Sequence, residues 1–171
     1  NATIKAMHCP EGTIQESECA GGYYCETPST EEPCQSGMLC SVGSRNPLPC
    51  PEGFYCGEKS VIAVPCDYGS YCPIGSSEME ICEKGYYCES PAEKIECGPG
   101  TYCPEKSTSA KPCDAGTFTS ESRSDNCLAC SNGDYCPSGS TTRTLCAAGH
   151  FCPNPALQTK CGGGTYCPEG R

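Results

Sequence analysis

The chain repeats one short phrase eleven times: a cysteine, two variable residues, a glycine, another variable residue, then an aliphatic or aromatic side chain. In nine copies a second cysteine follows at once, as in Cys50-Pro-Glu-Gly53-Phe-Tyr55-Cys56 and Cys97-Gly-Pro-Gly100-Thr-Tyr102-Cys103. The phrase opens at Cys9, Cys19, Cys34, Cys50, Cys66, Cys82, Cys97, Cys113, Cys130, Cys146 and Cys161. After a short first step the intervals are 15, 16, 16, 16, 15, 16, 17, 16 and 15 residues. A period that regular, in units too small to fold alone, demands a stacked array in which each repeat closes its neighbour.

Apolar burial is not what holds such an array together. The chain has five leucines, six isoleucines, three valines, three phenylalanines and no tryptophan in 171 residues, too few for an ordinary core. That poverty, with a net charge of -10, is the composition of a disordered chain. The 21 cysteines reverse the reading, because cysteine at this density is a disulfide scaffold and persists in an oxidising compartment. The expected location is therefore extracellular, secreted or at the cell surface. The longest apolar run, Val61 to Val64, is far short of a membrane span. Asn1 has no leader before it and Cys167-Pro-Glu-Gly-Arg171 looks like the start of another repeat, which suggests a processed or partial chain.

The phrase glycines, from Gly12 through Gly37 and Gly53 to Gly164, admit two readings. One is a tight turn at positive φ; the other is close approach of a neighbouring backbone or glycan. The residue two places later is apolar throughout. It is Ile14 and Leu39 in two copies and aromatic in the rest: Tyr24, Tyr55, Tyr71, Tyr87, Tyr102, Phe118, Tyr135, Phe151 and Tyr166. Rings recurring at the array's own period are expected to stack into a ladder that serves as its thin core, with exposed rings for sugar stacking as the alternative. The intervening segments are rich in Pro, Ser, Thr, Glu and Lys, with proline before the next cysteine at Pro33, Pro49, Pro65 and Pro112. Such segments resist helix and run as surface loops.

The repeats also compare themselves for pairing. In the copy opening at Cys113 the second cysteine is replaced by Thr119, and only there does an extra cysteine, Cys127, appear. If each opening cysteine bonds the closing cysteine of its own repeat, Cys127 supplies the missing partner. The bridges are then Cys19–Cys25, Cys34–Cys40, Cys50–Cys56, Cys66–Cys72, Cys82–Cys88, Cys97–Cys103, Cys113–Cys127, Cys130–Cys136, Cys146–Cys152 and Cys161–Cys167. Cys9 is left over, unpaired or joined to another chain, in a copy where Gln15 replaces the second cysteine. The rival scheme joins each closing cysteine to the next opening one, as in Cys25–Cys34, and strains Cys127 against Cys130. Each seven-residue loop contributes on the order of 2 kcal/mol through the entropy of the unfolded chain.

Other chemistry is sparse. One Cys-x-x-Cys, Cys127-Leu-Ala-Cys130, and two separated histidines, His8 and His150, make no metal-ligand pattern and no nucleophile-base set. No cofactor, metal or catalytic residue is expected, and the chain is not read as an enzyme. An excess of acidic over basic residues disfavours nucleic acid. Asn1-Ala2-Thr3 is the one N-glycosylation sequon, and the loops Ser107 to Ser109 and Ser138 to Thr144 suit O-linked sugars.

Segments such as Cys50-Pro-Glu-Gly-Phe-Tyr-Cys56 and Cys161-Gly-Gly-Gly-Thr-Tyr-Cys167 resemble the ephrin-receptor-like, or GCC2/GCC3, repeat of the growth-factor-receptor cysteine-rich type. So does the variant Cys113-Asp-Ala-Gly-Thr-Phe to Cys127-Leu-Ala-Cys130. Extracellular filament proteins of the flagellar-hair (mastigoneme) type are similar in using long runs of such modules. The resemblance covers nearly the whole chain and specifies module type more than function. The expected fold is small and disulfide-rich: an elongated tandem-repeat rod of short β-hairpins and turns, almost without helix. Residues 1–18 form an atypical first repeat, 19–112 six regular ones, 113–129 a variant and 130–171 three more, the last truncated. The expected role is structural, a filament subunit or the stalk of a surface protein. Its partners would be further copies, other extracellular proteins or glycans. The alternative is a ligand-binding or adhesion ectodomain.

Overall fold

The computed structural model describes residues 5–9 and 16–170. Gly12, Ile14, Gln15 and the Asn1 sequon lie outside them. Among the described residues there is no helix, and every sheet is a two-stranded antiparallel hairpin. Ten hairpins follow one another, from Met7–His8 with Ser17–Glu18 to His150–Asn154 with Leu157–Lys160. With ten local disulfides at the sequence period, this is a small disulfide-rich tandem-repeat fold. Contacts divide it into two compact halves, Asn1–Ile81 with Ser90–Glu93 and Cys82–Glu89 with Lys94–Arg171.

Each regular hairpin pairs the two residues after the phrase glycine with the two before the next opening cysteine. Tyr23 and Tyr24 face Pro33 and Glu32, and Phe54 and Tyr55 face Pro65 and Val64. Proline has no N–H to donate, so the second strand stays short and at an edge. The opening cysteine closes the ladder, as when Cys34 N–H donates to Gly22 O at 2.9 Å.

Both readings of the phrase glycine hold together. The ten described ones all sit at φ between 77° and 91°. Several also lie against the backbone of the repeat two places further on. A methyl on Gly22 would come within 2.5 Å of Lys59 O, and one on Gly133 within 2.6 Å of Gly170 O. One on Gly37 would collide with Gly75 O, whereas one on Gly53 would meet no atom within 4 Å. Glycine is therefore demanded by conformation everywhere and by space at a subset.

Cystine, not aromatic carbon, fills the interior. Among the described residues the buried apolar ones, apart from Ala6, are all cysteines, most with 0% exposure. The aromatic row is half-buried from Tyr24 to Tyr135, Phe151 is exposed, and Tyr166 is 90% exposed. The ladder of rings is thus a flank rather than the core. A two-residue strand covers a ring on one side only, and sixteen residues per repeat leave no further chain to enclose it. Tyr24 is typical: its hydroxyl donates to the cross-strand Glu32 Oε2 at 2.6 Å, and that carboxylate holds its pKa above the ordinary tyrosine value.

Gly37→Ala and Gly53→Ala separate the two demands. The left-handed conformation alone costs an L-residue about 1–2 kcal/mol, so Gly53→Ala should lose that much. Gly37→Ala should lose clearly more, because Gly75 must also move. Thermal unfolding with disulfides intact measures both, and equal losses would mean that the close approach is irrelevant.

Candidate functional site

What the phrase positions is backbone. The phrase glycine N–H points out of its own repeat and donates to the closing-cysteine carbonyl of the next, as in Gly22 to Cys40 at 2.9 Å and Gly37 to Cys56 at 2.7 Å. The closing-cysteine N–H donates to a loop carbonyl of the next repeat: Cys25 to Ser44 at 2.9 Å, Cys40 to Ser60 at 3.0 Å. A loop N–H returns the bond to the opening-cysteine carbonyl of the repeat before: Gly43 to Cys19 at 2.8 Å, Lys59 to Cys34 at 2.9 Å. Neighbouring repeats are thus tied through the main-chain atoms flanking the disulfide, which satisfies groups that would otherwise be buried and unpaired.

The receiving loop carries a second sequence signature, which the reading by phrase alone misses. After the closing cysteine come two residues, then one in the left-handed conformation, then serine. Examples are Cys40-Ser-Val-Gly43-Ser44, Cys72-Pro-Ile-Gly75-Ser76 and Cys136-Pro-Ser-Gly139-Ser140. The serine hydroxyl donates to the carbonyl three residues back, as in Ser76 to Pro73 at 2.7 Å, and so holds the turn. Ser107 and Ser140 do the same toward Pro104 and Pro137, so these two hydroxyls serve the turn. Thr108, Ser109, Thr141 and Thr142 are exposed.

This turn explains the uneven period. In the 15-residue repeats it is replaced by Cys25-Glu-Thr-Pro28, Cys88-Glu-Ser-Pro91 and Cys152-Pro-Asn-Pro155. Those proline carbonyls accept in place of serine, from Cys9, Cys72 and Cys136 at 2.7, 2.7 and 2.8 Å. In the 17-residue repeat one residue is added between Thr119 and Arg123.

It also corrects the register of the first repeat. Cys9 N–H donates to Pro28 O as a closing cysteine does, and Cys19 N–H donates to Ala6 O as later opening cysteines do to the phrase glycine. Met7 and His8 pair with Glu18 and Ser17 as Tyr23 and Tyr24 pair with Pro33 and Glu32. Cys9 therefore closes a repeat, with Ala6 in the glycine place, and Cys9-Pro-Glu-Gly12 corresponds to the later turn sequence Cys167-Pro-Glu-Gly170. Six residues before Cys9, where an opening cysteine belongs, stands Thr3. Cys9 is a free, partly exposed thiol because its opening partner is absent, not because Gln15 replaced a closing one.

The ten bridges join the cysteines within each repeat, from Cys19–Cys25 to Cys161–Cys167, with Cys113–Cys127 spanning 14 residues. Thr119 takes the vacated closing position. It is 4% exposed and hydrogen-bonded to Ser124 Oγ at 2.7 Å. Its backbone makes the regular links, accepting from Gly100 at 2.8 Å and donating to Ser140 at 3.2 Å. The register thus survives loss of the sulfur.

Side chains converge little. Cys19, Cys25 and Glu31 place ligand atoms within 4.8 Å of one another, but both sulfurs are bound in cystine and offer no thiolate. His8 and His150 each bury Nδ1 without a hydrogen-bond partner. Among the described residues neither histidine joins a cluster of potential metal ligands. A polar depression of about 250 Å³ lies in the variant loop, lined by residues including Thr119, Glu121, Arg123 and Asn126. Among the described residues no helix is long and apolar enough to cross a membrane. No protein-family profile matches the chain, and no curated protein sequence matches it.

The equivalence of Thr119 with a closing cysteine is testable by rewiring. Thr119→Cys combined with Cys127→Ser should give a bridge of regular size from Cys113 to the sulfur introduced at position 119. Non-reducing peptide mapping would show it, with one free thiol as in the parent. Cys127→Ser alone should raise the count to two. A Cys113 that remains free in the double variant would show that the loop cannot adopt the regular register.

Proposed function

We propose that this chain is a structural extracellular protein of the ephrin-receptor-like repeat type, acting as a filament subunit or as the stalk of a surface protein. The observation that carries the reading is the use made of the repeated phrase. Its sulfurs are consumed in local cystines, and the main-chain groups around them are consumed in bonds to adjacent repeats. A phrase spent on continuity is suited to length and chemical resistance rather than to turnover of a substrate. Ten disulfides are suited to an oxidising exterior, and a net charge of -10 keeps an exposed array soluble. The exposed hydroxyls of Thr108, Ser109, Thr141 and Thr142 suit O-linked sugars, and Asn1 an N-linked one.

One observation favours a binding ectodomain instead: the depression at the variant loop, where the repeat departs from its pattern, gathers hydroxyls, carboxylates and Arg123. The two readings part under negative-stain electron microscopy of native material. Regular fibres that come apart under reductant are the expected result. Monomers alone by light scattering, with saturable binding of a ligand to the isolated chain, would transfer the reading to the ectodomain.

A further inference from the structure

Repeat arrays ordinarily hold together through adjacent contacts alone. Here two contacts reach the repeat two places away, and both start from a residue in an unusual backbone conformation. Lys59 and Arg123 adopt the left-handed conformation at φ 56° and 62°, in a turn position that Gly43, Gly75, Gly139 and Gly170 fill elsewhere. Their carbonyls lie against Gly22 and Gly85, so closely that neither glycine has room for a Cβ. Their cations lie over the tyrosine following that same glycine. Lys59 Nζ is 5.0 Å from the Tyr23 ring centroid, and the Arg123 guanidinium carbon is 5.1 Å from that of Tyr86, a ring it shares with Lys94. Lys59 is also held above the ordinary lysine pKa, chiefly by its polar interaction with Tyr23.

The two pairs occupy equivalent places in a larger period. Cys19-Ala-Gly-Gly-Tyr23-Tyr24-Cys25-Glu-Thr-Pro28 and Cys82-Glu-Lys-Gly-Tyr86-Tyr87-Cys88-Glu-Ser-Pro91 open two successive blocks of four repeats, and each begins with a 15-residue repeat. Cys146-Ala-Ala-Gly-His150-Phe151-Cys152-Pro-Asn-Pro155 opens a third in the same style. A short repeat has no left-handed loop residue to offer two places back. Accordingly Gly53 meets no atom within 4 Å, and Gly116 meets Ala156 at an ordinary 3.5 Å.

A left-handed lysine or arginine is strained where glycine is not, so its presence at this position calls for a compensating contact. We propose that Lys59 and Arg123 are clamp residues. Each accepts a left-handed backbone in order to lock its repeat, by carbonyl and cation together, onto the glycine and tyrosine of the repeat two places earlier, once per block of four. The clamp couples three consecutive repeats into one cooperative segment, and the short repeats interrupt that coupling at regular intervals. Lys106 supplies a contrast. It too is left-handed at φ 62°, but two repeats earlier in the sequence Ser70, not tyrosine, follows the phrase glycine.

Amide hydrogen exchange on the 171-residue chain tests this. Lys59 N–H bonds Cys34 O and Arg123 N–H bonds Cys97 O, while Gly75 and Gly139 make the same bond to Cys50 and Cys113 without a cation. Tyr23→Leu keeps an apolar side chain against Ala6, Cys19 and Cys25 and removes the ring face and hydroxyl. It should speed exchange at Lys59 by about two- to fivefold and leave Gly75 unchanged. In a Lys59→Gly background the same change should have no effect on the residue 59 amide. Tyr86→Leu should act likewise on Arg123. Lys106→Gly should raise the unfolding temperature, and Lys59→Gly should not. The proposal fails if Tyr23→Leu acts equally in both backgrounds, or if Lys59→Gly stabilises as much as Lys106→Gly. Should Lys59→Gly not fold, Lys59→Met takes its place: it keeps an unbranched stem of nearly the same length and removes the charge, and unchanged exchange at residue 59 would overturn the proposal.

Discussion

A left-handed residue sends its N–H and C=O in directions that an ordinary strand residue cannot, and this fold uses that twice per regular repeat. The phrase glycine directs its N–H to the next repeat, and the turn residue before serine directs its own back to the previous one. The disulfide brackets the phrase glycine and fixes the spacing of the two cysteines whose carbonyls receive such bonds from the neighbouring repeats. The left-handed geometry aims the bonds, and the bridge, in the repeats that have both cysteines, holds their targets at a set spacing. Everything else, hairpins and rings included, is arranged around this exchange.

Cystine can serve as the interior because each repeat has so little to bury. Two sulfurs joined across seven residues form a compact apolar knot, and the unfolded loop loses entropy when it is closed. Thr119 shows which part of the device is indispensable. There the sulfur has gone to Cys127, yet the backbone links persist and the vacated place is filled by a hydroxyl with its own partner. The main-chain register is kept across the copies more strictly than the side chain that usually accompanies it.

Much of this was legible in the sequence. Spacing marked the repeats, glycine marked the turn, and the appearance of Cys127 in the one repeat that has Thr119 at its closing position implied pairing within repeats. Three things were not legible. Counting from the opening cysteine put Cys9 in the wrong register, because Thr3 and Ala6 disguise the phrase it closes. The aromatic row looked like a core, since period alone cannot tell a ring that stacks inside from one that lines a flank. The serine turn went unread, because glycine, lysine and arginine share its left-handed position and the serine after it stands in loops already rich in serine and threonine.

The sequence by itself determined that the chain is a disulfide-stabilised array of short non-helical repeats, since composition left no other means of stability and period left no other architecture. Only the tertiary structure decided which atoms bind one repeat to the next, and that Lys59 and Arg123 reach past the adjacent repeat to Tyr23 and Tyr86. The reason is physical. Local conformation and covalent spacing are written in neighbouring residues, whereas contacts across two repeats depend on how the turns stack in space, and that is set by the sum of all the left-handed residues between them.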